Sequence, residues 1–213
     1  MDILADNASR AIAWCNHRDV PVVNGEHNFG DRVSGELVGV KIHGVDGVGN
    51  LDLPAVPQAQ RDARSHGYVD AAAFIVEKCN ESPGDITLVT LGPLTNIARA
   101  LALDPGLAGK VRQVVMMAGS FCGRGNITPA AEANIHNDPE AAQAVFTMFP
   151  DVVVAPLDVT RQLELRRLLS SVTDCPAKKF LHDSSVHYIK ALTGLGATMF
   201  PVHDPCAVVA LIR

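Results

Sequence analysis

The chain has 213 residues, of which 47 % are hydrophobic and 19 % are charged, as is typical of a soluble globular protein with a sizeable core. The net charge of −5 and the lack of a basic stretch argue against a nucleic-acid-binding protein. No apolar run approaches the ~20 residues of a membrane span. We therefore expect a protein that binds neither nucleic acid nor membrane.

The cysteines and the first residues indicate a cytoplasmic location. The five cysteines are scattered, odd in number and without a C-x-x-C pair, which favours reduced thiols. The sequence MDILADNASRAIAWCN at 1–16 has an amphipathic helix pattern with acids in it. It has neither the basic start nor the apolar centre of a signal peptide.

Helical and strand patterns alternate along the chain. Helical periodicity is found at 3–16, 68–80, 93–104, 138–149, 161–172 and 176–192. Short apolar runs that predict buried strands are found at 20–23, 85–92, 111–119 and 151–159. Residues 26–60 are rich in Gly, Asp, Asn and Pro, and we predict mostly loop there, including VGVKIHG at 38–44.

This alternation predicts an α/β fold with a mostly parallel central sheet and helices on both faces. The length of 213 residues and the absence of a repeat and of a low-complexity tract predict one domain over residues 1–213. Ligands of such sheets bind outside the carboxyl ends of the strands. The segments predicted to leave those ends all carry polar groups; they lie at 91–96, 118–137, 158–160 and 200–205.

The glycine motifs of nucleotide-binding proteins do not match. Residues 44–49, GVDGVG, have the spacing G-x-x-G-x-G rather than G-x-G-x-x-G, and they lie in predicted loop. This disfavours a Rossmann-like dehydrogenase. There is no P-loop, no G-x-S-x-G, and no His or Cys pair with zinc-ligand spacing. An edge rich in Asp, Glu and Asn instead suits a hard cation such as Ca²⁺ or a polyol such as a sugar.

Several motifs agree in order and spacing with one family. They are HGVDGVGN at 43–50, TLGPLTNIARAL at 90–101, VVMMAGS at 114–120, GNITPAAEANIHNDPEAA at 125–142 and HDPCAVVAL at 203–211, with ADNASRAIAW and DVPVVNG near the start. The chain resembles the inosine-uridine preferring nucleoside hydrolases over essentially its whole length, with their Rossmann-like core. The resemblance implies hydrolysis of the N-glycosidic bond of purine or pyrimidine ribonucleosides to free base and ribose. It also implies an oxocarbenium-like transition state and a homodimer or homotetramer.

By position, the resemblance assigns ribose contacts to Met117, Glu132 and Asn134. Met117 could equally be a core residue, because methionine fills gaps well. Glu132 and Asn134 lie two apart, so in an extended chain both would face one side. Two interpretations of Asn126 stay open, namely that it holds the loop and that it contacts the ribose. Asp138, followed by Pro139, is predicted to cap the next helix.

The resemblance also implies a Ca²⁺ ion that binds the ribose 2′- and 3′-hydroxyls and a water. Of its ligands, it places Asp204 and the main-chain carbonyl of Leu91 in this chain. His203 would stand near the leaving base and could donate a proton to it, as a general acid does. His43 falls where some members place another base-side histidine. The predicted catalytic residues are therefore His203, Asp204 and His43.

One motif of the family has no counterpart in this sequence. The family begins with a strand that ends in D-x-D-x-x-x-D-D, whose acids supply most Ca²⁺ ligands and the base that activates water. Its C-terminal elements lie beyond HDPCAVVALIR, which stops inside a predicted helix. We therefore expect an incomplete nucleoside hydrolase domain that lacks the first strand and the C-terminal elements. Because Ca²⁺ takes about six to eight oxygens, we expect this chain alone to have little or no activity and low stability.

Two other functions stay open. The chain could be a non-catalytic ribose- or nucleoside-binding relative, or a partner subunit of an intact hydrolase. Dependence on Ca²⁺ separates the enzyme from the binding protein, and co-purification with an intact relative would support the partner subunit. The preferred nucleoside cannot be read from the sequence, although Ala133 stands where many members carry an aromatic residue.

Overall fold

The computed structural model describes residues 3–15, 20–26, 34–53, 56–57, 64–65, 67 and 70–212. Their contacts divide the chain into two compact units. Unit 1 comprises Met1–Asn24, Val33–Val69 and Glu164–Phe200. Unit 2 comprises Gly25–Arg32, Asp70–Leu163 and Pro201–Arg213. The expectation of one domain over 1–213 stays a prediction.

Helices and strands alternate along the described residues. The helices are α1 Ile3–Trp14, α2 Ser34–His43, α3 Ala71–Glu81, α4 Thr95–Leu103, α5 Ala133–Asn137, α6 Pro139–Met148, α7 Leu157–Thr160, α8 Leu165–Ser171, α9 Pro176–Gly194 and α10 Asp204–Ile212. The strands are β1 Ile86–Thr90, β2 Val111–Met117 and β3 Val152–Ala155. Among the helices that the structure describes, none combines the length and the apolar character that a membrane crossing needs.

The strands form a three-stranded parallel sheet in unit 2 with the order β1-β2-β3. Side chains alternate along β2, so neighbouring residues enter opposite layers. Val114 and Met116 join a core cluster with residues of α3, α4 and α6, whereas Val115 and Met117 join a second cluster that contains Ala207 of α10. Helices therefore cover both faces of the sheet, which confirms the predicted α/β fold.

The described part of unit 1 contains helices α1, α2, α8 and α9 and the 44–53 loop. Helix α1 contacts α9 through the rings of Trp14 and Phe180, whose centroids are 4.3 Å apart. Asn7 of α1 donates a hydrogen bond from Nδ2 to the carbonyl of Asp46 (2.7 Å). Gly49 has a φ of +86°, and a Cβ there would collide with the backbone of Ser184 in α9. Only glycine combines an easily adopted positive φ with the absence of a Cβ, so the loop can pack closely on α9.

Two predicted strand positions were wrong. Residues 20–23 form no strand; the N–H of Val22 instead donates a single hydrogen bond to the carbonyl of Arg64 (2.9 Å). Pro21 has no N–H and cannot support a ladder on both sides. The strand predicted at 151–159 is only Val152–Ala155, because Pro156 ends it and the next four residues are helical.

The loop predicted at 38–44 was also wrong, because these residues belong largely to α2. Gly35 and Gly39 give this segment a weak helix propensity, but α2 contacts α9 and tertiary packing outweighs propensity. The parts of the predicted loop at 27–33, 54–55 and 58–60 lie outside the described residues.

Candidate active site

The loop that leaves β2 is fastened by the segment that follows β3. The carboxylate of Asp158 accepts hydrogen bonds from the backbone N–H groups of Phe121 (2.8 Å) and Cys122 (3.0 Å). Arg161 donates from Nη2 to the carbonyl of Gly125 (2.9 Å). The bond from Phe121, followed by the other backbone N–H groups, lowers the pKa of Asp158, so the carboxylate that holds the loop stays ionised near neutral pH.

The same loop folds back on itself between Gly125 and Ala131. The N–H of Gly125 donates to the carbonyl of Pro129 (3.1 Å), and the N–H of Asn126 donates to the carbonyl of Ala131 (3.0 Å). The hydroxyl of Thr128 accepts from the N–H of Ala131 (2.9 Å). A Cβ on Gly125 would collide with backbone atoms of Thr128 and Ala131, so this close return requires glycine.

Glu132 is the buried centre of this region, with only 2 % of its surface exposed. Its carboxylate accepts three backbone hydrogen bonds, from Gly119 (3.1 Å), Asn134 (2.9 Å) and Ile135 (3.2 Å). Glu132 therefore caps α5 and ties it to the end of β2. The expectation of an extended chain was wrong here, because Asn134 lies in the first turn of α5.

The other predicted ribose contacts meet at the same place. Asn134 donates from Nδ2 to the carbonyl of Met117 (3.0 Å), and the same atom lies 3.5 Å from the sulfur of Met117. Met117 is 3 % exposed and belongs to a core cluster, so the core interpretation of this residue describes its packing correctly. Asn126 accepts from the N–H of Ala133 (2.8 Å), which shows that it holds the loop. Contact of these residues with ribose stays a prediction.

His203 and Asp204 lie at the start of α10. Partial loss of water around the carboxyl group, followed by the negative charge of Glu132, raises the pKa of Asp204 to about 6. The residue nevertheless keeps access to solvent. Nδ1 of His203 lies 2.7 Å from the hydroxyl oxygen of Thr160. Burial, followed by the positive charge of Arg161, lowers the pKa of His203. Unit 2 thus places two carboxylates within electrostatic reach of each other and holds a neighbouring histidine.

The oxygen donors of this region match Ca²⁺ in kind but not in number. The Asp204 carboxylate and the Leu91 carbonyl, which follows β1, are ligands that Ca²⁺ prefers, and the negative charges of Asp204 and Glu132 favour a cation. Over the described residues, no three His, Cys, Asp or Glu side chains are grouped as metal ligands. Because Ca²⁺ takes about six to eight oxygens, these residues alone would be too few to hold the ion, and the calcium site stays a prediction.

His43 belongs to unit 1, whereas the other predicted site residues belong to unit 2. It ends α2, and its ring lies nearly parallel to that of Tyr188, with a centroid distance of 6.1 Å. Burial, followed by the nearby His187, lowers the pKa of His43. Its carbonyl accepts a hydrogen bond from the N–H of Gly49 (2.8 Å). Its base-side role stays a prediction.

Comparison with known proteins decides the family. The sequence profile of the inosine-uridine preferring nucleoside hydrolases matches residues 1–213. The chain belongs to this family. Its members cleave N-glycosidic bonds and are generally metal-dependent.

Relatives and a solved structure agree with the family. The chain is 40 % identical over 182 residues to probable uridine nucleosidase 2 of Oryza sativa subsp. japonica, covering 81 % of this chain and 51 % of the relative. It is 37 % identical over 204 residues to uridine nucleosidase 1 of Arabidopsis thaliana, covering 92 % of this chain and 57 % of the relative. The plant nucleoside hydrolase PpNRh1 superposes with a TM-score of 0.83 at 32 % identity, over 98 % of this chain and 65 % of that one. The chain thus spans about half to two thirds of these proteins.

Three residues of this nucleoside hydrolase chain were missed as parts of the site. Asp158, Thr160 and Arg161 follow β3 and hold the loop after β2 and the ring of His203. The sequence places 158–160 at the carboxyl edge of the sheet, which was the available signal. It could not assign partners, because those partners lie 36 to 43 positions away.

Proposed function

We propose that this protein hydrolyses the N-glycosidic bond of ribonucleosides to free base and ribose. The observation that carries the proposal is the contact of His203 with Thr160 in unit 2, which also holds the Asn134–Met117 contact and places Asp204 within electrostatic reach of Glu132. Membership of the nucleoside hydrolase family and relatives named uridine nucleosidase support the reaction class.

Each residue has a role that its chemistry allows. The amide nitrogen of Asn134 donates a hydrogen bond to the carbonyl of Met117, which fixes the orientation of the amide. The amide oxygen can then accept a hydrogen bond from a ribose hydroxyl. Glu132 and Asp204 supply negative charge, which stabilises the positive charge that develops on the sugar when the bond to the base breaks. His203 protonates the leaving base, which otherwise departs with a negative charge.

We propose Ca²⁺ as the metal, held in part by Asp204 and the carbonyl of Leu91. When bound, the ion would orient the ribose hydroxyls and a water. The described residues supply too few oxygens for a complete site, so we expect slow turnover by this chain. A cytoplasmic homodimer or homotetramer is also proposed, and sedimentation equilibrium of the chain would test its oligomeric state.

Product analysis tests the reaction. The full chain is incubated with uridine and with inosine in phosphate-free buffer, with Ca²⁺ or with chelator, and base and ribose are separated by chromatography. We expect free ribose, sensitive to chelator, and a loss of roughly 100-fold in Asp204→Asn, as when one group that stabilises a transition state is removed. Uridine is tested first, because both plant relatives are named for it.

The matched control is Asp174→Asn, a change at an exposed aspartate that pairs only with Lys178 among the contacts of the described chain. This variant should release ribose at the wild-type rate. Nucleoside binding without release would support the non-catalytic alternative, and equal release by Asp204→Asn would refute the role of Asp204.

A further inference from the structure

The helical turn after β3 contains a buried hydroxyl to which the proposed reaction gives no role. Thr160 has no exposed surface, and its Oγ1 lies 2.7 Å from Nδ1 of His203. Two neighbours of Thr160 in sequence, Asp158 and Arg161, hold the loop after β2. The same short segment therefore contacts both the loop with the predicted ribose residues and the predicted general acid.

Backbone hydrogen bonds fix the Thr160–His203 contact from two sides. The N–H of Leu163 donates to the carbonyl of Thr160 (3.2 Å), and the N–H of Val202 donates to the carbonyl of Leu163 (3.0 Å). Val202 directly precedes His203, so these bonds and the side-chain contact form a closed circuit of hydrogen bonds. This circuit holds both the backbone and the imidazole of His203, which restricts rotation of the side chain.

A hydroxyl suits this position because it can both donate and accept. It donates to an unprotonated Nδ1 and accepts from a protonated one. Because Nδ1 is engaged, Nε2 is the ring nitrogen that can transfer a proton to a substrate.

We propose that Thr160 is a positioning residue for His203, holding Nδ1 so that Nε2 faces the leaving base of a bound ribonucleoside. This proposal rests on the proposed function, since it assigns His203 to protonation of the base. Thr160 is fully buried and acts only through the histidine.

Three variants separate this role from a contribution to folding. Thr160→Val keeps the shape but removes the hydrogen bond, and we expect kcat for uridine to fall about 10- to 100-fold, because a misplaced general acid loses most of its effect. KM should stay within about 3-fold, since ground-state binding is unchanged. Thr160→Ser keeps the hydroxyl and should restore most of kcat. Thr147→Val removes an exposed hydroxyl that bonds within α6 and should change nothing.

A substrate with an activated leaving group sharpens the test. 4-Nitrophenyl β-D-riboside releases nitrophenolate, which departs without protonation and needs no general acid. Thr160→Val should therefore cleave it within about 3-fold of the wild-type rate, since only the acid step is affected. An equal loss of kcat with uridine and with the nitrophenyl riboside would overturn the proposal.

A measurement that needs no turnover separates failure of this proposal from failure of the proposed function. The ring nitrogens of His203 are observed by ¹⁵N NMR of the full chain and assigned by their loss in His203→Gln. Thr160→Val should shift the Nδ1 resonance, and Thr160→Ser should retain it. An unchanged Nδ1 resonance in Thr160→Val would overturn the proposal. If the chain releases no ribose, the proposed function fails, and this measurement still decides whether Thr160 holds the ring.

Discussion

The 44–53 loop of unit 1 and the 119–132 loop of unit 2 are both organised by a carboxylate that accepts backbone hydrogen bonds. In the first loop Asp46 accepts from Val48 (2.9 Å) and Asn50 (2.7 Å), which lie two and four positions away. Burial alone would raise the pKa of Asp46, but the backbone N–H groups outweigh it and lower the pKa. The carboxylate of the first loop thus binds backbone of its own loop, in addition to the hydrogen bond that Asn7 of α1 donates to the carbonyl of Asp46.

The second loop is organised from elsewhere in the chain. Asp158 holds the N–H groups of Phe121 and Cys122 from 37 and 36 positions away, and Arg161 holds Gly125 from 36 positions away. A loop held by a neighbouring strand's extension moves with the sheet and keeps a defined position at its edge. This difference fits the predicted ribose contacts, of which Asn126 and Glu132 lie on the second loop and Met117 and Asn134 at its two ends, since a binding site needs groups fixed by a rigid scaffold.

The largest expected effect is the loss of the carboxylate at the base of the second loop. In Glu132→Gln the amide keeps one acceptor oxygen, but its NH₂ cannot accept from a backbone N–H, so at least one of the three partly buried donors loses its partner. We expect the free energy of unfolding to fall by about 2 kcal/mol. Denaturant unfolding measures it. Glu81→Gln, at an exposed pair with Lys78, should change it by less than about 0.5 kcal/mol.

Asp158→Asn should have a smaller effect that stays with the second loop. The amide keeps one acceptor oxygen, so one of the two hydrogen bonds to Phe121 and Cys122 is lost. We expect kcat/KM for uridine to fall about 10-fold, because the predicted ribose contacts lose part of their positioning. Amide exchange at Phe121 and Cys122 should accelerate. Unchanged exchange at both amides would show that the loop is held by other contacts.

Asp46→Asn is the matched variant in the first loop and should have a smaller effect still. The hydrogen bonds of the Asp46 carboxylate are local. Another bond in the same loop, from the N–H of Val45 to Oδ1 of Asn50 (2.8 Å), does not involve Asp46 and remains. We expect kcat/KM within about 3-fold of wild type and faster exchange only near 45–50. A loss as large as that of Asp158→Asn would break the comparison between the loops.

The smallest effect is a pH dependence of the second loop. Because the pKa of Asp158 is lower in the folded chain than in the unfolded one, its contribution is fully present above the unfolded value of about 3.9. It is lost as the pH falls below that value and through the folded pKa. Amide exchange at Cys122 should lose protection below about pH 4 in wild type. The loss should be weaker in Asp158→Asn, which has no carboxylate to protonate.

Some local signals in the sequence were reliable, although the strand predicted at 20–23 and the loop predicted at 38–44 were not. The pair Asp138-Pro139 predicted a helix cap, and Asp138 does accept from the N–H of Ala141 (3.0 Å) at the start of α6. The buried runs at β1 and β2 and the start of β3 were predicted because apolar residues between turn signals leave few alternatives. Such features depend on neighbours within a few positions.

Features that depend on distant partners could not be predicted. The carboxylate of Glu132 also accepts from the N–H of Gly119, 13 positions away. The burial of Glu132 depends on this distant partner and could not be predicted from GNITPAAEAN. The contact of Thr160 with His203 joins residues 43 positions apart. The sequence pattern located the edge of the sheet, but only the fold pairs the groups along it.

The most direct test of ribose recognition compares uridine with 2′-deoxyuridine as substrates of the full chain. A site that binds sugar hydroxyls leaves polar groups unpaired when a hydroxyl is missing. We predict a kcat/KM for uridine at least about 100-fold higher than for 2′-deoxyuridine. Equal values for the two nucleosides, or turnover of neither, would contradict the assignment of this region as the ribose site of a nucleoside hydrolase.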